Sequence, residues 1–453
     1  VSAPTQGLAP PQDGLVAAMR RIVAFSLPIF AGLLLQSLSG TVNAMFIGHG
    51  LGAAAFAAAS NANGVLLLVA GIVSGFGIAA NIAVGRSIGA GDRERARHVG
   101  TNAAALVAAI ALAVAVLGVV ASERIVAWLG VPDASRALAA TYLAVMFAGT
   151  PFLYMATFAG MLLRAWGDAC TPFVYLALAV VLDVALNPLL IFGAGPIPAL
   201  GIGGSALATG IAQAVALAAL VLHLRRRKAG VVTSLRPDRA ALAPLAAKGV
   251  VMGLQPVVVA IGTLGLLALV NRHGVDVAAA FGACAQWWAY LQMPALAIGI
   301  GVSSLAARDA GGGRWAQVAS LASGGVAAAL IATLVPVALT YALERQVLGL
   351  FLPADGAAFA LARDGNAIAA WSFVVFGASF VLLGVVRSTG AVFVPLAILA
   401  TALVALRVPF AYALDARLSV DAVWWSIPLG LVAAALLSAA YYRHGRWRPR
   451  GQT

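Results

Sequence analysis

The chain has 453 residues, of which 62% are hydrophobic and only 9% charged, with a formal net charge of +13. A soluble domain carries about 25% charged residues, so a water-soluble fold of ordinary surface composition is excluded. Continuous apolar runs match membrane-spanning helices in length, and their lack of alternation excludes a transmembrane β-barrel.

In chain order, residues 1–20 read as a loose N-terminal tail containing Pro4, Pro10 and Pro11. The chain opens on Val1 rather than Met, which suggests a processed or trimmed start, and the first apolar run is too long for a cleaved signal. Twelve spans are expected at about 21–47, 53–83, 95–120, 137–163, 171–193, 201–225, 244–271, 277–305, 316–341, 365–386, 391–414 and 420–442. Residues 21–226 would form a first lobe of six helices, 227–243 a polar cytoplasmic linker, 244–442 a second lobe of six, and 443–453 a basic tail. The fold class expected is an all-α integral membrane protein. Abundant Gly, Ala and Ser suit close helix packing in lipid.

With the N-terminus placed inside, 21 of the 28 Lys and Arg fall on inner segments. This is the positive-inside pattern, and it predicts both termini in the cytoplasm of a bacterial inner membrane. The basic balance is then a topology signal with anionic lipid headgroups as partners, and no nucleic-acid partner is expected. Cys170 and Cys284 fall near opposite membrane faces and are not expected to pair.

Two internal echoes show duplication. Leu162-Leu163-Arg164-Ala165-Trp166-Gly167 is answered by Val385-Val386-Arg387-Ser388-Thr389-Gly390, and Ser87-Ile88-Gly89-Ala90-Gly91 by Asp309-Ala310-Gly311-Gly312-Gly313. The offsets are 223 and 222 residues, and six helices per half make the repeat parallel, about an axis along the membrane normal. Such duplication points to a transporter whose site lies between the two halves.

Further motifs stand in order along the chain: Leu27-Pro28, Phe46-Ile47-Gly48-His49-Gly50-Leu51-Gly52, Gly85-Arg86-Ser87-Ile88-Gly89-Ala90-Gly91-Asp92, Arg164-Ala165-Trp166-Gly167-Asp168, Leu182 to Gly193, and Gly201 to Thr209. Together they resemble the prokaryotic MATE (multidrug and toxic compound extrusion) transporters. The resemblance implies two six-helix lobes in a V and export of cationic or amphiphilic organic compounds in exchange for protons or sodium. It also marks departures. Asn43 stands where relatives often carry an Asp on the first helix, and the fifth helix has Asp183 before Asn187, the reverse of the usual order. No acid falls inside the seventh or tenth span, Asp364 lying at the boundary of the tenth.

Of the fifteen acidic residues, only Asp183 falls deep inside a span. A carboxylate there costs at least about 2.5 kcal/mol to insert unless paired or wetted, and intramembrane acids generally mark ion pathways. Asp183, Asn187 one turn later and Asn43 are therefore the ion-coupling candidates, with Asp183 a metal ligand only if sodium is the ion. The alternatives are a protonated structural Asp183 and an ordinary interhelical hydrogen bond for Asn43. Gln36 and Asn63, with Gln255, Gln286, Tyr290, Gln292 and Met293 on helices 7 and 8, are substrate-binding candidates, since aromatic faces attract organic cations and Met adapts to varied shapes. The competing reading for Trp287 and Trp288 is an interfacial aromatic belt. Pro28 is the gating candidate, because it removes a helix hydrogen bond. Arg164 and Arg387 read as cations at cytoplasmic helix ends, and Arg407 as snorkelling outward.

The five histidines show no metal spacing, and no Walker sequence or Ser-His-Asp order is present. An ion-driven antiporter without a cofactor, working as a monomer, is the first reading. A flippase for lipid-linked or other amphiphilic lipids, from a related superfamily, is the alternative, and it predicts an Arg-rich cavity.

Overall fold

The computed structural model describes residues 14–193, 195, 198–226 and 238–447. Most of the linker, including Arg227, Lys228 and Arg236, lies outside the described residues, as do residues 1–13 of the N-terminal tail and the end of the basic tail. Among the described residues there is no strand. The first lobe comprises α1 (Leu15–Leu51), α2 (Ala53–Gly89), α3 (Arg93–Trp128), α4 (Asp133–Ala165), α5 (Cys170–Phe192) and α6 (Gly201–Arg226). The second comprises α7 (Arg239–Arg272), α8 (Val275–Gly311), α9 (Trp315–Ala342), a short α10 (Glu344–Gly349), α11 (Ala357–Ala369), α12 (Ser372–Ser388), α13 (Phe393–Ala400), a π-helical stretch (Thr401–Leu406), α14 (Arg407–Leu418) and α15 (Val420–His444).

Eleven of the described helical segments are long and apolar enough to cross a membrane. The pair α11 and α12, bent by 48° at a short break, makes the twelfth. The structure thus corrects the tenth span, which begins earlier than its apolar run suggests and places Asp364 inside α11. The eleventh span is also irregular, with a widened turn ahead of Arg407.

Local chemistry sets the helix ends. The Asp92 side chain accepts the Arg95 N–H at 2.8 Å and starts α3, and Asp238 accepts the Ala240 N–H at 2.8 Å and starts α7. Each such cap contributes about 1 kcal/mol. The reversals repeat between lobes in backbone conformation as well as in sequence. Gly52 and Gly274 have φ of 87° and 99°, Gly91 and Gly313 have 81° and 71°, and Gly167 and Gly390 both have 91°. Only glycine adopts these values without a Cβ penalty. α1 continues unbroken through Pro28.

The lobes meet along α1 and α2, with α2 packing on α7 and α8 and α1 on α8 and α9. At this seam the backbones touch. A Cβ on Gly75 would strike the backbone of Gly249 and Gly253, one on Gly89 the carbonyl of Arg308, and one on Gly311 the carbonyl of Arg86. All these contacts lie in the half of the bundle that carries the start of α1 and the end of α15. There α8 is almost wholly buried from Ala295 to Ala310, whereas Gly282, Gln286 and Ala289 in its other half are exposed.

Candidate functional site

Asp183 lies on α5 and is buried, 8% exposed. Its carboxylate accepts from Thr209 Oγ1 of α6 at 2.8 Å, from Ser39 Oγ of α1 at 3.1 Å and from Asn187 Nδ2 at 3.1 Å. Asn187 Nδ2 also donates to the Asp183 carbonyl at 2.8 Å. The amide oxygen of Asn187 is buried beside this cluster with no hydrogen-bond partner in the described residues. Asn43 joins one turn away on α1, where its Oδ1 accepts from Ser205 Oγ of α6 at 2.6 Å. The arrangement rests on three pairs spaced four residues apart: Ser39 and Asn43, Asp183 and Asn187, Ser205 and Thr209. Spacing of four puts each pair on one helix face.

This cluster borders a cavity of about 440 Å³ inside the first lobe. Gln36, Asn43, Asn63, Tyr142, Asp183, Thr209 and Gln213 supply polar groups to its wall, and Phe56, Leu67, Met146, Leu153 and Leu176 supply apolar ones. The Tyr142 hydroxyl donates to Asn63 Oδ1 at 3.4 Å. A second chamber of about 390 Å³ shares Gln36, Leu153, Leu176 and Gln213 with the first and runs toward Pro28 and Arg164. Apolar walls with a few convergent polar groups are the usual make-up of a small-molecule site.

The residues singled out on α1, α2 and α5 are thus brought together. Pro28 lines the second chamber. The second-lobe candidates do not line these two chambers. Gln255 is 5% exposed and its Oε1 accepts from Arg387 Nη1 at 3.1 Å, so its amide is committed inside the lobe. Gln292 donates to the Trp288 carbonyl at 3.1 Å, and Tyr290 packs against Trp287. Neither they nor Gln286 and Met293 line either first-lobe chamber.

The belt reading is corrected for Trp288, which is 4% exposed, packs against Phe373 and Trp424, and donates to Asn366 Oδ1 at 3.2 Å. Trp287 donates to Thr340 Oγ1 at 3.0 Å. Arg387 lies inside the lobe rather than at a headgroup surface, with its guanidinium 5.1 Å from the centre of the Phe380 ring. Arg407 does not snorkel freely either. Its stem packs at Gly430 of α15 and its Nε is buried.

Sequence reasoning missed Ser39, Ser205, Thr209 and Tyr142. The repeated four-residue spacing of polar groups on α1, α5 and α6 is the signal that would have pointed to the first three.

The MatE family model matches residues 28–189 and again 252–413, one copy per lobe. The chain belongs to the MatE family. Its repeat boundaries agree with the echoes described above, and its members are transporters rather than enzymes. This MatE protein is 29% identical over 432 residues to the probable multidrug resistance protein YoeA of Bacillus subtilis, covering 94% of this chain and 93% of that one. It is 24% identical to the multidrug export protein MepA of Staphylococcus aureus, over 93% and 92% of the two chains. Among solved structures, it superposes on the Vibrio cholerae MATE transporter VcmN in the bent form with a TM-score of 0.88, at 20% identity, over 95% of this chain and 97% of that one. Membership in MatE places the chain among multi-pass multidrug efflux transporters and does not favour the flippase reading.

Proposed function

We propose that the protein is a secondary active antiporter that exports cationic or amphiphilic organic compounds in exchange for protons or sodium, working as a monomer in the bacterial inner membrane with both termini cytoplasmic. The observation that carries this reading is Asp183, a buried carboxylate on the wall of a cavity that also offers apolar surface. A cationic amphiphile entering the cavity and an inward-moving cation would compete for this one negative charge. That competition couples their opposite movements without ATP. The donors fit either ion. A proton satisfies the carboxylate alone, whereas sodium would find the Asp183 carboxylate, the unpartnered Asn187 oxygen and the Thr209 hydroxyl, all hard oxygen ligands. The printed names of YoeA and MepA support a multidrug substrate range.

In alternating access, the first-lobe cavity would load from one face and discharge to the other as the seam along α2 opens and closes. The close contacts in the terminus-bearing half support an outward-facing state for this structure, with Pro28 at the wall of the second chamber as the bending point. The test is ethidium efflux in proteoliposomes under an imposed pH or sodium gradient. Asp183→Asn, which keeps the shape and one acceptor oxygen but removes the charge, is expected to abolish gradient-driven efflux. Efflux at the wild-type rate in that variant would remove Asp183 from the coupling role.

A further inference from the structure

The duplicated arginines differ between lobes in a way that exposes a second binding group. Arg387 of the second lobe has two partners, the Gln255 oxygen and the face of Phe380. Arg164, its counterpart 223 residues earlier, has neither. Seven residues before Arg387 stands Phe380, whereas seven before Arg164 stands Thr157. The stretch of α1 that corresponds to Gln255 is Leu27-Pro28-Ile29-Phe30-Ala31-Gly32, which has no hydrogen-bonding side chain in any register. Where the second lobe fills the space beside its arginine, the first lobe leaves a chamber of about 390 Å³, and Gly32, Thr157 and Arg164 all line it.

No hydrogen bond or ion pair among the described residues reaches the Arg164 guanidinium, and its Nε is buried. The dipole at the end of α4 favours a cation at this position. It does not explain why one copy keeps two partners and the other stands bare beside open volume. A guanidinium held in such a place is costly unless a ligand completes it, and its planar fork matches carboxylate and phosphate oxygens.

We propose that Arg164 forms an anion subsite that receives the phosphate or carboxylate head of an amphiphile whose apolar part occupies the chamber. The Arg164 Nη1 lies near Pro172 at the start of α5, since a Cβ on Gly160 would stand 3.4 Å from Pro172 Cβ and 3.8 Å from that nitrogen. From Pro172 to Asp183 the rise along α5 is roughly 16 Å. The joined chambers thus carry opposite charges at their two ends, and the ligand range includes anionic amphiphiles as well as cations. This rests on the reading of the first-lobe cavity as the ligand chamber. It is tested by binding with no gradient present, so it stands or falls separately from ion coupling.

The probe is a dansyl-labelled decyl phosphate, compared with the matching alcohol, and binding to the full-length detergent-purified protein is read as tryptophan-to-dansyl energy transfer. The phosphate is expected to bind at least about tenfold more tightly than the alcohol, the discrimination that one charge-assisted contact supplies. Arg164→Gln should erase that preference and Arg164→Lys should retain part of it. Thr157→Phe, which supplies the ring that Arg387 already has, should lower phosphate binding with the charge intact. In phosphatidylcholine nanodiscs, Arg164-dependent displacement of the probe by added phosphatidylglycerol assigns the subsite to lipid headgroups, and no displacement assigns it to free anionic amphiphiles. Either result supports the subsite. Equal binding of phosphate and alcohol by the wild type, or a preference that survives Arg164→Gln in folded protein, would overturn it.

Discussion

Asp183 is held by donors from three helices, and this sets what single substitutions around it should do. The Thr209 hydroxyl at 2.8 Å is the shortest of its side-chain contacts and comes from α6, whereas Ser39 reaches it from α1. A hydrogen bond to a charged group is worth about 1.5–3 kcal/mol, and about 1.4 kcal/mol is tenfold in rate. Thr209→Val, which keeps the shape and deletes the donor, should therefore lower the initial rate of gradient-driven ethidium efflux by about tenfold or more. Thr209→Ser should keep most of the rate, and combining Ser39→Ala with Thr209→Val should approach Asp183→Asn. Initial rates in proteoliposomes at matched protein density check this, and full activity of Thr209→Val would show that the hydroxyl is packing rather than function.

At the scale of elements, α3 and α7 are joined across the lobes. Asp238, which caps α7, accepts from His98 at 3.2 Å, and the Asp238 N–H donates to Asn102 Oδ1 at 3.0 Å. The hydrogen bond from His98 holds the Asp238 carboxyl below the usual aspartate range, with the Ala240 N–H adding to the effect. The folded chain therefore binds that proton more weakly than the unfolded chain does. The contribution of this tie is fully present above the ordinary aspartate value of about 3.9 and is lost as pH falls through the lower folded value. Asp238→Asn can still cap α7 but cannot titrate. The difference in Tm between wild type and Asp238→Asn seen at about pH 5 should close below about pH 4. A difference that stays constant down to pH 3 would show that the carboxylate contributes nothing through its charge.

Legibility also divides at this scale. The helices were readable because each long apolar run has one stable form in lipid. The break between α11 and α12 and the π-helical stretch before Arg407 were not, since their residues are as apolar as their neighbours. Asp183 was readable as a lone deep acid, whereas Ser39 and Thr209 showed only in their four-residue spacing from Asn43 and Ser205. Hydroxyls inside membrane helices commonly bond their own backbone, as Thr157 does with the Leu153 carbonyl at 2.9 Å and Thr333 with that of Ala329 at 2.7 Å. Composition alone does not tell which hydroxyl turns to another helix instead. Gln255, a cavity candidate whose competing reading is a packing contact, could not be resolved for a similar reason. Its partner, Arg387, lies 132 residues away and meets it only in the folded lobe.

At the scale of the whole molecule, the duplicated lobes share a scaffold and differ in what they hold. The first encloses the joined chambers, with Asp183 at one end and Arg164 at the other. At the matching position the second fills the space beside Arg387 with Gln255 and Phe380. On the proposed alternating-access reading, the two lobes part and rejoin at a seam that includes α2, where glycines let backbone meet backbone. Gly89 is the most demanding of these positions, because a Cβ there collides with the Arg308 carbonyl, a backbone atom that cannot swing aside. Its neighbour Gly91 sits at the turn, with φ of 81° and nothing within 4 Å of a Cβ, so it serves the chain reversal rather than the seam. Gly89→Ala should hold the lobes apart at the terminus-bearing end without disturbing either lobe's interior. Spin labels on Arg93 and Trp315, the first residues of α3 and α9, should then report a longer and broader distance distribution, and ethidium efflux should fall while ethidium binding to the first-lobe cavity persists. An unchanged distribution with full efflux would mean that the seam yields at this point without cost, and that closure is governed elsewhere along α2.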